Sequence, residues 1–81
     1  MNNATLADIP NGEHHLWVPA HLSGKLTMAK ILKTIAVFHK SAKMRTAEFC
    51  SIRGLNIVFE PPAQLSVVHA EMERLGIKIT K

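Results

Sequence analysis

Three histidines, His14, His15 and His21, lie close together in the sequence and are the first candidates for chemistry, as metal ligands. Zinc requires three or four converging ligands, which usually occur as short paired spacings of cysteine and histidine. Neighbouring residues of a strand point to opposite faces, and the single cysteine, Cys50, has no second cysteine to join it. We therefore predict no metal site.

Nucleophilic catalysis would require a base beside a serine or cysteine. Cys50 falls in a predicted strand and faces its core side, where a thiol usually behaves as a small apolar group. Glu71 and Glu73 do not form a carboxylate pair, because they diverge by about 160° on a helix that turns about 100° per residue. We predict that the protein is not an enzyme and holds no cofactor.

Positive charge is concentrated in one part of the sequence. The formal net charge is +4, and residues 25–53 contain seven of the ten Lys and Arg residues but only one of the six acidic residues. Such a segment can follow a phosphate backbone and release its counterions. The cations expected to do so lie on or just after one predicted helix: Lys30, Lys33, Lys40, Lys43 and Arg45. The alternative is an ordinary solvated helix face, whose C-terminal cations favour the helix dipole.

The helix that carries these lysines is predicted over residues 25–40, with Ser23 or Thr27 as its N-cap. An arc of about 120° contains its apolar residues and one histidine, and the lysines lie on the other side. We therefore expect this histidine, His39, to be partly buried. The arc comprises Met28, Ile31, Leu32, Ile35, Phe38 and His39.

A hairpin is predicted next, with strands over residues 46–52 and 55–59 and Arg53-Gly54 as a two-residue turn. This register puts Phe49 and Val58 on the same side of the sheet. An earlier strand, over residues 14–18, contributes Trp17. We predict that Trp17, Phe49 and Val58 mark an apolar interface that a second copy of the chain covers. The alternative is that Trp17 and Phe49 stack the bases of a single-stranded nucleic acid.

The remaining signals complete an α+β domain. Pro61-Pro62 is expected to begin a second helix, Gly76 to end it, and residues 77–80 to form a last strand. The order β, α, β, β, α, β predicts a ferredoxin-like sandwich, with a four-stranded antiparallel sheet and two helices on one face. The alternative drops the first strand and gives a small winged-helix-like domain of helix, hairpin and helix.

Eighty-one residues allow one domain, which we place at residues 14–81. Residues 1–13 are mostly small or polar and end in the turn residues Pro10-Asn11-Gly12, so we predict a flexible N-terminal arm. The single cysteine, together with the lack of a signal-like or membrane-spanning segment, favours a cytoplasmic protein.

The expected function is that of a small non-enzymatic protein-interaction module, acting as a homodimer or as an adaptor or inhibitor of a larger protein. A chain of this length buries only about 60% of its unfolded surface on folding, so a second copy or a partner would stabilise it. The alternative is a basic regulator that binds DNA or RNA through the cationic surface of residues 25–53.

Overall fold

The computed structural model describes residues 3–80, which form five strands and three helices. A short turn at Pro10–Gly12 joins the first two strands. The elements, in chain order, are β1 Asn3–Ile9, β2 Glu13–Val18, α1 Ala20–Ser23, α2 Met28–Ser41, β3 Met44–Cys50, β4 Gly54–Phe59, α3 Leu65–Arg74 and β5 Lys78–Thr80.

The five strands form one mixed sheet in the order β3-β4-β2-β1-β5. Neighbouring strands are antiparallel except β1 and β5, which are parallel. Strands β2 and β3 therefore run in the same direction with β4 between them, and α1 and α2 make the crossover. The molecule is a small α+β domain.

Alternation along the strands decides which face of the sheet is buried. The buried side chains of β1, β2 and β4 occur at every second position and point toward α2 and α3. Phe38 of α2 packs edge to face on Phe59 of β4, with ring centroids 5.1 Å apart. The opposite side of the sheet, which neither α2 nor α3 covers, is called the open face below.

The first strand corrects the prediction of a flexible arm over residues 1–13. Residues 3–9 form β1, an interior strand that pairs with both β2 and β5. Ala4 and Leu6 are buried in the core and alternate with less buried residues. The sequence did not indicate this alternation, because the neighbouring residues are small or polar. Pro10–Gly12, which were predicted to end the arm, form the tight connection from β1 to β2. In this connection Asn11 and Gly12 have φ values of 75° and 76°. Residues 1 and 2 lie outside the described part of the chain.

Helix α2 begins at Met28, and the Oγ1 atom of its N-cap residue Thr27 accepts a hydrogen bond from the backbone N–H of Lys30 at 3.2 Å. One of the two predicted caps is therefore confirmed. The predicted burial of His39 is wrong, because its side chain is exposed. The buried side of α2 is narrower than the predicted arc and is displaced toward α3, so that it consists of Ile31, Thr34 and Phe38.

The hairpin of β3 and β4 has a different register from the predicted one. Its turn has three residues, 51–53, and Cys50 is paired with Gly54. Phe49 therefore lies opposite Leu55, on the helix side, instead of opposite Val58. A change by an odd number of residues moves a strand's side chains to the other face of the sheet.

The predicted ferredoxin-like plan is confirmed only as an α+β fold. The structure has a fifth strand, β1, inserted between β2 and β5, and the short helix α1 precedes α2. The winged-helix-like alternative is wrong, because residues 13–18 form a strand in the middle of the sheet. No helix within residues 3–80 is long and apolar enough to span a membrane.

Candidate functional site

Within residues 3–80, strand β3 forms one edge of the sheet and pairs on one side only, with β4. It has seven residues, whereas the strand at the opposite edge, β5, has three. A long edge strand presents unpaired backbone N–H and C=O groups, on which another strand can pair. Residues 45–49 of β3 are all exposed.

An exposed apolar patch accompanies this edge on the helix side of the sheet. Its members are Met28, Leu32 and Phe49, which retain 56%, 58% and 39% of their accessible surface. We call these three residues the edge patch. Clustered exposed apolar side chains of this kind can mark an interaction site.

Chain direction places the members of the edge patch at the same end of the domain. Two residues, 42 and 43, join the end of α2 to the start of β3. Because α2 leads back from the end of β2 to the start of the parallel strand β3, it runs opposite to β3. A strand advances about 3.3 Å per residue and a helix about 1.5 Å. Phe49, five residues into β3, therefore lies level with the first turns of α2, where Met28 and Leu32 are found.

The connection between α2 and β3 is tightly held. Ala42 is buried, and its N–H donates to the carbonyl of Phe38 at 2.9 Å. Lys43 takes a left-handed conformation, with φ 62°, and its carbonyl accepts the N–H of Glu60 at 2.9 Å. These contacts fix the start of β3 under the end of α2.

The structure separates the three residues of the predicted interface. Trp17 and Val58 lie on the open face, whereas Phe49 lies on the helix side, because its register partner is Leu55. A single flat surface therefore cannot cover all three residues. For the same reason, Trp17 and Phe49 cannot stack neighbouring bases on one face.

A groove crosses the open face beside Trp17. Trp17 donates its indole N–H to the carbonyl of Arg53 at 2.8 Å, and Nε2 of His15 lies 2.9 Å from Oδ1 of Asn56. The turn residues Ile52 and Arg53 form one wall. The part of the groove between Trp17 and Asn56 has a volume of about 480 Å³.

The five predicted nucleic-acid-binding cations do not form one stripe. Lys30, Lys33 and Lys40 are exposed on α2, and Lys43 is exposed just after it. Arg45 is the extra residue at an irregularity in the β3–β4 pairing, and its guanidinium binds Glu13, with Nε 2.8 Å from Oε2 and Nη2 3.1 Å from Oε1. Glu13 belongs to β2, so Arg45 is directed away from the lysines of α2.

Among the described residues, three titratable groups have pKa values displaced from their ordinary ones by identifiable neighbours. A side-chain hydrogen bond from Arg74, 2.9 Å from its carboxylate, lowers the pKa of Glu71, and the same bond raises the pKa of Arg74. Backbone N–H groups of Arg53 and Ile52 lower the pKa of the Cys50 thiol. Within residues 3–80, no group of three or more His, Cys, Asp or Glu side chains is placed to hold a metal ion.

Sequence reasoning did not identify the exposure of Met28 and Leu32. Their apolar character placed them in the predicted buried arc, and only the position of α2 at the sheet edge shows otherwise. Asn56 and Arg53 were also missed as groove residues, because their proximity to Trp17 is a contact between residues distant in sequence. Family models, curated proteins and solved structures were each compared with this chain, and none matches it.

Proposed function

We propose that this protein is a non-enzymatic interaction module that forms a homodimer through the free edge of β3. The observation that carries the proposal is the edge patch, Met28, Leu32 and Phe49, which lies exposed beside a seven-residue edge strand. Edge pairing supplies backbone hydrogen bonds, and burial of the patch supplies about 25 cal/mol for each Å² of apolar surface removed from water.

A second copy fits this surface because the arrangement is self-complementary. Two antiparallel β3 strands related by a two-fold axis perpendicular to the sheet keep both helix layers on the same side. Strands lie about 4.8 Å apart. Helices that each cover β3 and β4 would therefore lie about 10 Å apart across the axis, which is near the 8–10 Å spacing of packed helices. The exposed side of each α2 then meets its equivalent.

The charges of β3 are compatible with such pairing. With Ala47 on the two-fold axis, Glu48 of one copy lies opposite Thr46 of the other, so no like charges face each other directly. Arg45 is already bound to Glu13. Ala47, which is exposed on the helix side, is small enough to leave room for the meeting helices.

The predictions of a ferredoxin-like plan and of a cytoplasmic location are part of this proposal. A ferredoxin-like plan is supported by the order of elements from β2 to β5, to which β1 is added. A cytoplasmic location is supported by the lone cysteine. Nucleic-acid binding by the lysines of α2 stays a separate prediction, and the pairing of Arg45 with Glu13 weakens it.

The test is light scattering coupled to size exclusion over a range of protein concentrations. We expect the wild type to approach twice its 9.0 kDa mass as the concentration rises. Leu32→Glu and Phe49→Glu should remain monomeric, because each would bury an unpaired carboxylate in the interface.

Ile52→Glu is the matched control, since Ile52 is 85% exposed but belongs to the hairpin turn and not to the edge patch. This variant should dimerise like the wild type. A wild type that stays at 9.0 kDa at high micromolar concentration would contradict the proposal, and so would Ile52→Glu acting like Phe49→Glu.

A further inference from the structure

The groove on the open face continues past Trp17 in both directions. Its first part, of about 480 Å³, includes His15, Arg53 and Asn56, and a second part, of about 510 Å³, extends to Asn3 and Thr80. Both parts share the ring of Trp17 and the side chain of Ile52. The groove therefore crosses four strands, β4, β2, β1 and β5, with Trp17 near its middle.

We propose that this groove binds single-stranded nucleic acid, with a base stacked on Trp17 and a phosphate held by Arg53. Trp17 retains 40% of its accessible surface, yet its indole N–H is tied to the carbonyl of Arg53 at 2.8 Å. A ring that is exposed and held in one orientation is a stacking platform. Bases of single strands stack on such platforms with little sequence preference.

Polar groups beside the ring suit the edge of a base. His15 and Asn56 are linked through Nε2 and Oδ1, 2.9 Å apart. Hydrogen bonding through Oδ1 leaves the two N–H donors of the Asn56 side chain to serve a base. Recognition of single strands by proteins commonly combines stacking with hydrogen bonds to base edges.

The cation at the same site is available to a phosphate. Arg53 lies 3.8 Å from Glu48, and both side chains are about two-thirds exposed, so their mutual attraction is weak and screened by salt. Arginine matches phosphate with a planar set of donors. A phosphate that approaches Arg53 therefore competes with a loosely held carboxylate.

The shape of the groove favours a strand over a free nucleotide. Pockets for small ligands typically bury most of the ligand surface, whereas this groove lies along an open sheet face and passes the ring on both sides. A strand can therefore continue past Trp17 toward Asn3 and Thr80 while one of its phosphates meets Arg53.

The experiment uses the full chain and a twelve-residue oligothymidylate at about 50 mM salt. Because Trp17 is the only tryptophan, its fluorescence reports on the groove directly, and we expect it to be quenched as the oligonucleotide is added. Binding by the variants is measured by the anisotropy of a dye-labelled oligonucleotide, because Trp17→Leu and Trp17→Phe contain no tryptophan. Trp17→Leu should weaken binding about tenfold or more, and Trp17→Phe should restore part of the affinity. Arg53→Glu should weaken binding and reduce the magnitude of the log–log salt slope by about 0.7.

Four controls decide between sources of binding. Leu32→Glu should bind the oligonucleotide like the wild type, because it alters the edge patch on the other side of the sheet. Failure of this proposal can therefore be distinguished from failure of the dimer proposal. If the protein bound duplex DNA as tightly as the oligonucleotide, the proposal would be overturned in favour of the lysines of α2. The same conclusion would follow if Lys33→Glu/Lys40→Glu, in which Trp17 is intact, lost binding. Thymidine monophosphate that binds as tightly as the oligonucleotide would overturn the assignment to a strand, and unquenched Trp17 fluorescence would overturn the site.

Discussion

Gly54 is the residue whose replacement should most clearly damage the hairpin that builds the groove. It opens β4 with φ 90°, packed against the end of β2. A Cβ atom at this position would overlap the carbonyl oxygen of Val18 and come within 2.8 Å of the Ala20 nitrogen and the Pro19 carbonyl carbon. All three are backbone atoms that cannot rotate away, so Gly54→Ala requires the turn and β2 to move apart.

Gly76 provides a matched control for this substitution. It has φ 75° at the end of α3, and a Cβ added there would meet nothing within 4 Å. The left-handed conformation costs alanine about 1–2 kcal/mol, and reduced freedom of the unfolded chain returns about 0.4–1 kcal/mol. Gly76→Ala should therefore lower the free energy of unfolding by about 1 kcal/mol.

Gly54→Ala carries the same conformational cost and an additional one of about 1–3 kcal/mol for overpacking. We expect a total loss of about 2–4 kcal/mol, against about 4–12 kcal/mol for the stability of a domain of this length. The assay is urea unfolding followed by circular dichroism at one low protein concentration for all variants. Values for Gly54→Ala and Gly76→Ala within about 0.5 kcal/mol of each other would refute the close approach of the hairpin to β2.

Three further predictions concern the core, the lysines and pH. Phe38→Ala should lower the free energy of unfolding by about 3–5 kcal/mol, because Phe38 is fully buried against Phe59; a loss under 1 kcal/mol in urea unfolding would contradict the packing of α2 on β4. Lys33→Glu/Lys40→Glu should change stability by less than about 0.5 kcal/mol, since both residues are exposed, and electrophoretic mobility shifts with duplex DNA across a salt series will show whether they bind nucleic acid. Because the hydrogen bond from Arg74 lowers the pKa of folded Glu71 below its ordinary 4.5, the stability that the carboxylate adds is present above about pH 4.5 and lost as pH falls through the folded pKa. The stability difference between wild type and Glu71→Gln should accordingly shrink on acidification, and a difference that is constant with pH would contradict this role.

Much of the second half of the chain was predictable from local signals. The hairpin strands were placed within two residues of their true positions, and Gly76 ends α3 with the positive φ that its position suggested. The predicted start of this helix at Pro61-Pro62 is wrong, because α3 begins at Leu65. Thr27 caps α2 as one of two predicted candidates. These features depend on residues near in sequence, such as a glycine after a helix or an apolar stripe along one.

Features that depend on distant contacts were not predictable in this way. Strand β1 is stabilised by strand partners 75 residues away, such as Lys78 beside Asn3, and its own sequence looks like a polar segment. The hairpin register depends on a three-residue turn and on an irregularity at Arg45, and its error moved Phe49 to the wrong face. Burial of Met28, Leu32 and His39 depends on how α2 sits on the sheet, which the helical period alone does not specify.

Pairing of two β3 edges is tested most directly by oxidative crosslinking at Ala47, in a background that removes the native thiol with Cys50→Ser. Antiparallel partners that face each other have Cβ atoms about 4.5–5.5 Å apart, close to what a disulfide spans. The thiol introduced by Ala47→Cys should therefore convert most of the protein to a covalent dimer of twice 9.0 kDa. Ser66→Cys, at an exposed position of α3, is the control that should crosslink little. Crosslinking of Ala47→Cys no greater than that of Ser66→Cys would contradict dimerisation through this edge.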